Sequence, residues 1–342
     1  MKQALLKLTV LAALIISVTQ INAQKPTGYK LSNTFHVASL GGWDYPAVDE
    51  SSNKLYLSHG MQVNILDKNT GDSLGVILNT TGVHGIAFVP ALNKGYTSNG
   101  RTNNVTVFEL STGKTLGQVA TGKNPDWIMY DAFTKKILTS NHTGGDITVI
   151  DPSNDAVVAT IAVGGAKLET IVSDNAGKVF VNAEDKNEIV AIDLQKNQVL
   201  AHWSLVPGEG PTGLVIDPIT KRLFATCEKL LVVVDATNGK IVGQVPIGEG
   251  CDGAAFDPAS KLVFTSNGEG TISVVKEIDK NTFKVVETLV SKKGARTITI
   301  DTKSHKLYLP TADYEAAATD GSKGRPKMIP GSFQVLVYSI DK

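Results

Sequence analysis

The chain has 342 residues, of which 33 are Lys or Arg and 33 are Asp or Glu, so its formal net charge at pH 7 is zero. A surface without excess positive charge argues against broad binding to nucleic acid or to anionic membranes. The chain is also large for one compact hydrophobic core. A single domain of this size therefore requires an architecture that grows by adding units.

Residues 1–23 have the pattern of a secretory signal peptide, in which Lys2 and Lys7 precede an apolar stretch at residues 8–18. That stretch is too short for a stable membrane span. The alternative interpretation is a buried N-terminal helix. We expect an exported protein, periplasmic or extracellular, whose mature chain (residues 24–342) has no membrane span and carries 31 basic against 33 acidic residues.

A pattern of four short β-rich runs recurs seven times along the mature chain. Residues at the turn after the first run mark the copies, and successive markers are 40 to 44 residues apart. A period near 42 residues with four strands per unit is typical of β-propeller blades, because one twisted sheet cannot bury both its faces alone. The markers are Asp49, Val89, Asp131, Asp174, Asp217, Asp257 and Asp301.

The fifth copy, residues 213–247, shows the pattern most clearly. Turn residues at Asp217-Pro218 and Asn238-Gly239 separate apolar runs. Short runs rich in β-branched residues and bounded by such turns predict a four-stranded antiparallel meander. The runs lie at residues 213–216, 223–226, 231–234 and 241–247.

The two ends of the chain complete each other. The seventh copy stops after its third strand, at residues 334–338, and would leave an open sheet edge. The N-terminal residues 28–49 align with residues 113–131, which run from the fourth strand of one unit into the next. We therefore predict an all-β, single-domain, seven-bladed β-propeller over residues 24–342, with four antiparallel strands per blade and the N-terminal strand joining the last blade.

Three second-strand segments carry a resemblance to a known family: GYTSNG (residues 95–100), ILTSNH (residues 137–142) and VFTSNG (residues 263–268). They are followed by VTVFE, ITVID and ISVVK, and the sequence resembles the YVTN repeat of the YncE-like secreted seven-bladed propellers. The closing segment, residues 325–341, is also similar to the end of that family. The resemblance implies the fold but no single activity, since related rings serve as lactonases, haem-bearing oxidoreductase domains and binding platforms.

The residue that ends the second strand varies between copies. Asparagine at this position is explained by a turn cap, and a ligand role is the alternative. His59 is a poorer turn residue and therefore a candidate binding residue. The seven residues are His59, Asn99, Asn141, Ala183, Cys227, Asn267 and Thr311.

A second set of equivalent positions opens the innermost strand of each copy. In a propeller both sets share one face, around the mouth of the central channel, where four acids with a single Arg would favour a cation or a positively charged substrate. The alternative is that these side chains only cap strand ends. The positions are Asp44, His84, Asp126, Glu169, Thr212, Asp252 and Arg296.

Imidazole and carboxylate groups on this face also suit a divalent metal ion. No local metal-binding motif supports such a site, so its ligands would have to converge from different blades. The candidate metal ligands are His59, His84, His142, Asp126 and Glu169, and Asp44 and Glu184 are further carboxylates on the same face. No other cofactor is evident from the sequence.

The two cysteines, Cys227 and Cys251, lie in loops of neighbouring copies that emerge on the same face. In an oxidising compartment they are a candidate disulfide. Separate buried thiols and a metal-thiolate pair are the alternatives.

We therefore expect a binding or interaction module that uses the channel mouth, with an unidentified small molecule, cation or protein as its partner. A metal-assisted hydrolase of the lactonase type is the alternative. A third hypothesis is a protein-docking ring whose affinity depends on exposed aromatic residues. Those residues would be Trp43, Tyr45, Trp127 and Tyr314, the last within an insertion at residues 312–331.

Overall fold

The computed structural model describes residues 26–165, 167–315 and 327–340. In these ranges 28 strands form seven separate four-stranded antiparallel sheets, so the predicted seven-bladed β-propeller is confirmed. The predicted signal peptide lies outside the described residues. No helix in the described ranges has the length and apolar character needed to cross a membrane.

The strands follow one another in chain order, and all but the first belong to consecutive blades. The first strand is β1 (Tyr29–His36). Blade one contains β2 (Trp43–Val48), β3 (Lys54–His59), β4 (Gln62–Asp67) and β5 (Ser73–Ile77). Blade two contains β6 (Val83–Val89), β7 (Lys94–Asn99), β8 (Asn104–Glu109) and β9 (Thr115–Ala120). Blade three contains β10 (Pro125–Asp131), β11 (Lys136–Asn141), β12 (Asp146–Asp151) and β13 (Ala156–Ala162).

The second half of the ring repeats this order. Blade four contains β14 (Leu168–Ser173), β15 (Lys178–Ala183), β16 (Glu188–Asp193) and β17 (Gln198–Ser204). Blade five contains β18 (Leu214–Asp217), β19 (Arg222–Cys227), β20 (Leu230–Asp235) and β21 (Ile241–Pro246). Blade six contains β22 (Cys251–Asp257), β23 (Leu262–Asn267), β24 (Thr271–Asp279) and β25 (Thr282–Val290). Blade seven contains β26 (Thr299–Asp301), β27 (Lys306–Thr311) and β28 (Gln334–Ile340), with β1 as its fourth strand.

The hydrophobic core lies between neighbouring blades rather than at the centre of the ring. Between blades five and six, for example, Phe224 and Val233 of one sheet share a cluster with Val263 and Val275 of the next, and all four are fully buried. Each sheet thus buries its faces only against its neighbours. The second and third strands of each blade are buried along nearly their whole length for that reason.

Hydroxyl groups of the second strands bridge the innermost strands of adjacent blades. Ser98 Oγ accepts a hydrogen bond from the Gly85 amide at 2.8 Å and donates to the Asp126 carbonyl of the next blade. Ser266 Oγ donates to the Arg296 carbonyl of the next blade at 2.6 Å. A Cβ atom at Gly85 would lie 3.0 Å from the Ile128 amide nitrogen, so glycine permits this close approach.

The N-terminal strand closes the ring as predicted. Strand β1 pairs antiparallel with β28, from Tyr29 opposite Ile340 to His36 opposite Gln334. Thr297 Oγ1 donates to the Asp44 carbonyl at 2.9 Å and joins blade seven to blade one. The sheet edge that blade seven would otherwise expose is therefore covered by the chain itself.

The two described ends of the insertion pair with each other, through an isolated bridge between Tyr314 and Met328. The Tyr314 ring lies 6.2 Å from that of Trp43, which places the base of the insertion over the start of blade one. Residues 316–326 of the insertion lie outside the described residues.

We expect the substitution Phe35→Ala to lower the free energy of unfolding by about 3–5 kcal/mol, because it empties a buried aromatic site in the closing strand. Phe35 is 4% exposed, and its ring occupies the space beside Gly71 of blade one. Leu31→Ala, in the same strand but 50% exposed, is the matched control and should change stability by less than about 0.5 kcal/mol. Urea denaturation measures both, and equal effects would contradict the described packing of β1.

Candidate functional site

Backbone irregularities at the start of the innermost strands place the polar side chains of the mouth. The pairing register shifts between Trp43 and Pro46, between Val83 and Ile86, and between Pro125 and Ile128, with equivalent shifts in blades four and six. Such bulges re-aim side chains and are frequent beside functional sites. The bulged segments carry Asp44, His84, Asp126, Glu169 and Asp252.

Six of nine candidate binding residues at the mouth line one cavity of about 210 Å³. The nine candidates are Asp44, His59, His84, Asp126, His142, Glu169, Glu184, Asp252 and Arg296. Arg296 forms ion pairs with Asp44 and Asp252, and a carboxylate oxygen of Glu184 lies within 4.8 Å of ligand atoms of His142 and Glu169. His59 lies apart from this group. The cavity is lined by Asp44, Tyr45, His84, Asn124, Asp126, His142, Glu169 and Asp252.

His84 lies between two carboxylates from neighbouring blades. Its Nδ1 is 2.6 Å from Asp44 Oδ2 and 3.2 Å from Asp126 Oδ1. Burial by itself lowers the pKa of His84, but the hydrogen bond to Asp44 and the charge of Asp126 outweigh it and raise the pKa to about 9. In the ligand-free cavity His84 is therefore a cation at neutral pH.

A second histidine pair lies in the adjoining blades. His142 Nδ1 is 3.0 Å from Glu169 Oε1, and Lys167 Nζ is 3.4 Å from Glu184 Oε2. Burial, followed by the charges of Asp252 and Glu184, raises the pKa of Glu169 to about 9. Glu169 therefore carries a proton at neutral pH when no ligand is bound.

Asp126 is the least satisfied acid of the cavity. It is 8% exposed, and its Oδ2 atom has no hydrogen-bond partner within the described part of the chain. Burial, followed by the charge of Glu169, raises the pKa of Asp126 well above its usual range. The structure thus buries this carboxyl oxygen without a hydrogen bond that would offset its loss of solvation.

Arg296 neutralises one side of the cavity. Its Nε is 2.7 Å from Asp252 Oδ2, and its Nη2 is 3.5 Å from Asp44 Oδ1. Asp252 is therefore already paired with an arginine, whereas the basic partners of Asp126 and Glu169 among the described residues are histidines.

Tyr45 and Asn124 are cavity residues that the sequence did not identify as polar ligands. Tyr45 is 5% exposed, and burial, followed by the charges of Asp126 and three further acids, raises its pKa well above the usual value. Its ring packs edge-on against Trp127 at 4.8 Å and also lines a second cavity of about 340 Å³ along the innermost strands. The sequence indicated Tyr45 only as an aromatic docking residue, because it does not reveal the bulge between Trp43 and Pro46 that sets the direction of this side chain.

The structure does not bring His59 to this cluster. Its Nδ1 is 2.5 Å from Ser39 Oγ, its Nε2 is 2.7 Å from the Gly41 carbonyl, and its ring stacks on Phe333 at 4.0 Å. The pKa of His59 is lowered from its usual value, mainly because the ring is buried. His59 is a buried structural residue, and the expected grouping of three histidines reduces to His84 and His142.

The asparagines that end the second strands also have structural roles. Asn99 Nδ2 donates to Asn104 Oδ1 and Thr106 Oγ1, both at 2.8 Å, within its own blade. Asn141 and Asn267 make equivalent contacts across the turn that follows them. The turn-cap interpretation fits all three.

The candidate disulfide is not formed. Cys227 and Cys251 are both free and buried. Cys227 packs beside Gly208 and Val232, whereas Cys251 Sγ lies 3.3 Å from the Gly253 carbonyl. Burial raises the pKa of each thiol to about 12, so both are unreactive thiols rather than thiolate ligands.

The aromatic residues of the docking hypothesis are not exposed. Trp43 and Tyr45 are buried, and Trp127 and Tyr314 are half-buried. Aromatic anchors for a protein partner are usually accessible before binding, so this face offers no aromatic patch among the described residues.

No protein-family model matches the chain, and no curated protein matches it. Among solved structures, a chain of the hydrazine synthase of Kuenenia stuttgartiensis is similar, with a TM-score of 0.70 and 14% sequence identity. The similarity covers 80% of this chain and 94% of that chain. At this identity it supports the β-propeller fold alone, and membership of the YncE-like family stays a prediction.

We expect stability to fall as the pH rises from about 6 to about 9 in the presence of a chelator. Glu169 and His84 hold protons in the folded state that the unfolded chain releases near pH 4.3 and 6.5, so raising the pH favours the unfolded chain. Each group contributes a slope of at most about 1.4 kcal/mol per pH unit. Glu169→Gln removes one of these protons and should flatten the profile.

Urea denaturation at several pH values measures this slope. The exposed Glu209→Gln substitution is the control and should retain the parent profile. Parallel profiles for the parent and Glu169→Gln would show that Glu169 titrates normally in the folded protein.

Proposed function

We propose that this protein is an exported binding module whose mouth cavity takes a positively charged ligand. The β-propeller fold is consistent with this role, because it presents variable residues on a rigid ring. Export is supported by the signal-peptide pattern of residues 1–23. Nucleic acid is not an expected ligand, since the chain has no excess of basic residues.

The Oδ2 atom of Asp126, which has no hydrogen-bond partner among the described residues, is the observation that carries this proposal. A buried polar atom without a partner costs about 1–3 kcal/mol, and folded proteins usually satisfy such an atom or use it. A ligand with a positive charge at Asp126 Oδ2 would supply the missing interaction and favour the ionised carboxylate. A neutral hydrogen-bond donor would supply a weaker interaction, and an anion would be repelled.

The arrangement of the neighbouring charges supports the same ligand class. Arg296 already contacts Asp252 and Asp44, and His84 contacts Asp44 and Asp126. Glu169 has only His142 as a basic partner among the described residues. These carboxyl groups share one small cavity, where a bound cation would favour their ionised forms and low solvent exposure would strengthen the attraction.

We expect at least one cationic probe to bind at the mouth and Asp126→Asn to weaken that binding by tenfold or more, about 1.4 kcal/mol. Suitable probes are the chlorides of Mg²⁺, Ca²⁺, Zn²⁺ and butane-1,4-diammonium, with acetate and glucose as anionic and neutral comparators. Isothermal titration calorimetry at low ionic strength measures the affinities. Asp126→Asn preserves the shape of a side chain whose raised pKa already disfavours its charged form, so the variant should fold.

Glu249→Gln is the matched control, because Glu249 is an exposed acid in the loop that leads into β22 and is not a cavity residue. Its affinity for the bound probe should equal that of the parent. Failure of every cation to bind, or equal binding by the Asp126→Asn variant, would contradict the proposal.

A metal-assisted hydrolase of the lactonase type is the second candidate, with one supporting observation. Two sets of three side chains have ligand atoms within 4.8 Å of one another, namely Asp44, His84 and Asp126, and His142, Glu169 and Glu184. In such an enzyme the bound ion supplies an activated water molecule, and these side chains hold the ion.

We expect a hydrolase of this kind to cleave γ-lactones or aryl esters in the presence of Zn²⁺ at least tenfold faster than its His84→Gln variant. Spectrophotometric rate measurements with both proteins decide the point. Equal rates would leave only the binding module.

A further inference from the structure

We infer that the ligand of the mouth is a divalent transition-metal ion held by Asp44, His84 and Asp126. This inference rests on the proposed cation-binding function and names its ligand class. The three residues open the innermost strands of three consecutive blades, so the ion would join blades one, two and three at the channel mouth.

The donor atoms are already close to the spacing that a metal ion requires. In a tetrahedral site with bonds of about 2.0–2.1 Å, neighbouring donors lie about 3.3 Å apart. His84 Nδ1 is 3.2 Å from Asp126 Oδ1 and 2.6 Å from Asp44 Oδ2. The shorter contact has to open by less than one ångström to reach this spacing, and the ligand atoms of the three groups all lie within 4.8 Å of one another.

Asp126 supplies the observation that is independent of this clustering. Asp126 is more than nine-tenths buried and lines the cavity, and its Oδ2 atom has no hydrogen-bond partner in the described ranges. The hydrogen bonds within the cluster therefore leave this oxygen without a partner. A cation coordinated by this carboxylate would supply one.

The ligand set selects the class of ion. One imidazole nitrogen and two carboxylate oxygens suit Zn²⁺ and similar first-row ions, whereas Ca²⁺ and Mg²⁺ prefer oxygen ligands alone. The two carboxylates also balance the double positive charge. Three protein ligands leave a fourth position, which would face a cavity of about 210 Å³.

Neighbouring groups hold these ligands in place. Arg296 Nη2 lies 3.5 Å from Asp44 Oδ1, the carboxylate oxygen that does not contact His84. The Asp44 amide donates to Ser58 Oγ at 3.1 Å. A Cβ atom at Gly100 would lie 2.7 Å from His84 Nε2, so glycine at this position leaves room for the imidazole ring.

The second set of candidate ligands lacks the observation that supports the first. No buried oxygen of Glu169 or Glu184 is without a hydrogen-bond partner among the described residues, whereas Asp126 Oδ2 is. His202, which does not line the cavity, provides a matched control for His84. Its Nδ1 lies 3.0 Å from Glu188 Oε2, so it also pairs with a carboxylate.

The test is a titration of the untagged protein, stripped by a chelator and dialysed, with ZnCl₂ against a chromophoric zinc chelator. The parent should bind an ion with a Kd below about 1 µM. We expect His84→Gln and Asp126→Asn each to weaken this site by at least about 100-fold, while His202→Gln stays within about threefold of the parent. Two variants are used so that a folding defect in one, checked by circular dichroism, does not decide the result.

Cobalt substitution gives a second readout. Co²⁺ in a tetrahedral site of nitrogen and oxygen ligands absorbs visible light, and this band should be lost in His84→Gln and kept in His202→Gln. Full retention of zinc by the His84 variant, or an equal loss of zinc from the His202 variant, would overturn the assignment.

The two proposals fail in different ways. If butane-1,4-diammonium binds and requires Asp126 but no zinc binds, the metal assignment is wrong and the cation-binding function stands. If neither probe binds the parent, both are wrong.

Discussion

The close contact between the innermost strands of adjacent blades is the constraint on which the rest of this structure depends. Second-strand hydroxyls such as Ser98 and Ser266 bond to the backbone of the next blade, and glycine at positions such as Gly85 lets that backbone approach. Because these bonds use main-chain atoms, the side chains at the strand starts are free to differ. One position per blade can therefore carry a functional group without altering the ring.

That freedom explains how the acids converge. Asp44, Asp126, Glu169 and Asp252 come from four different blades yet meet in one cavity. Their mutual repulsion and burial oppose folding, and Arg296 and His84 offset only part of it. The unfavourable burial of these acids is confined to one cavity, whereas the sheets around it are closely packed. Such a local concentration of unfavourable interactions is typical of a binding site.

The stability that supports this site comes from elsewhere in the ring. Apolar residues such as Phe224 and Val263 lie between sheets, and no blade buries its faces alone. The N-terminal strand completes the last sheet and ties the two ends of the chain together. Since the packed sheets surround the mouth, the mouth residues can be held in place without an α-helix or a disulfide among the described residues.

The sequence by itself determined the number of blades, the four strands in each and the closure by β1, because the repeat period, turn residues and apolar runs are local properties. It also placed Asp44, His84 and Asp126 at equivalent positions of one ring. Only the tertiary structure decided which of these side chains meet. His59 was drawn away by Ser39, Gly41 and Phe333, and Tyr45 was turned inward by a bulge, because partners distant in the chain and local register shifts set side-chain direction.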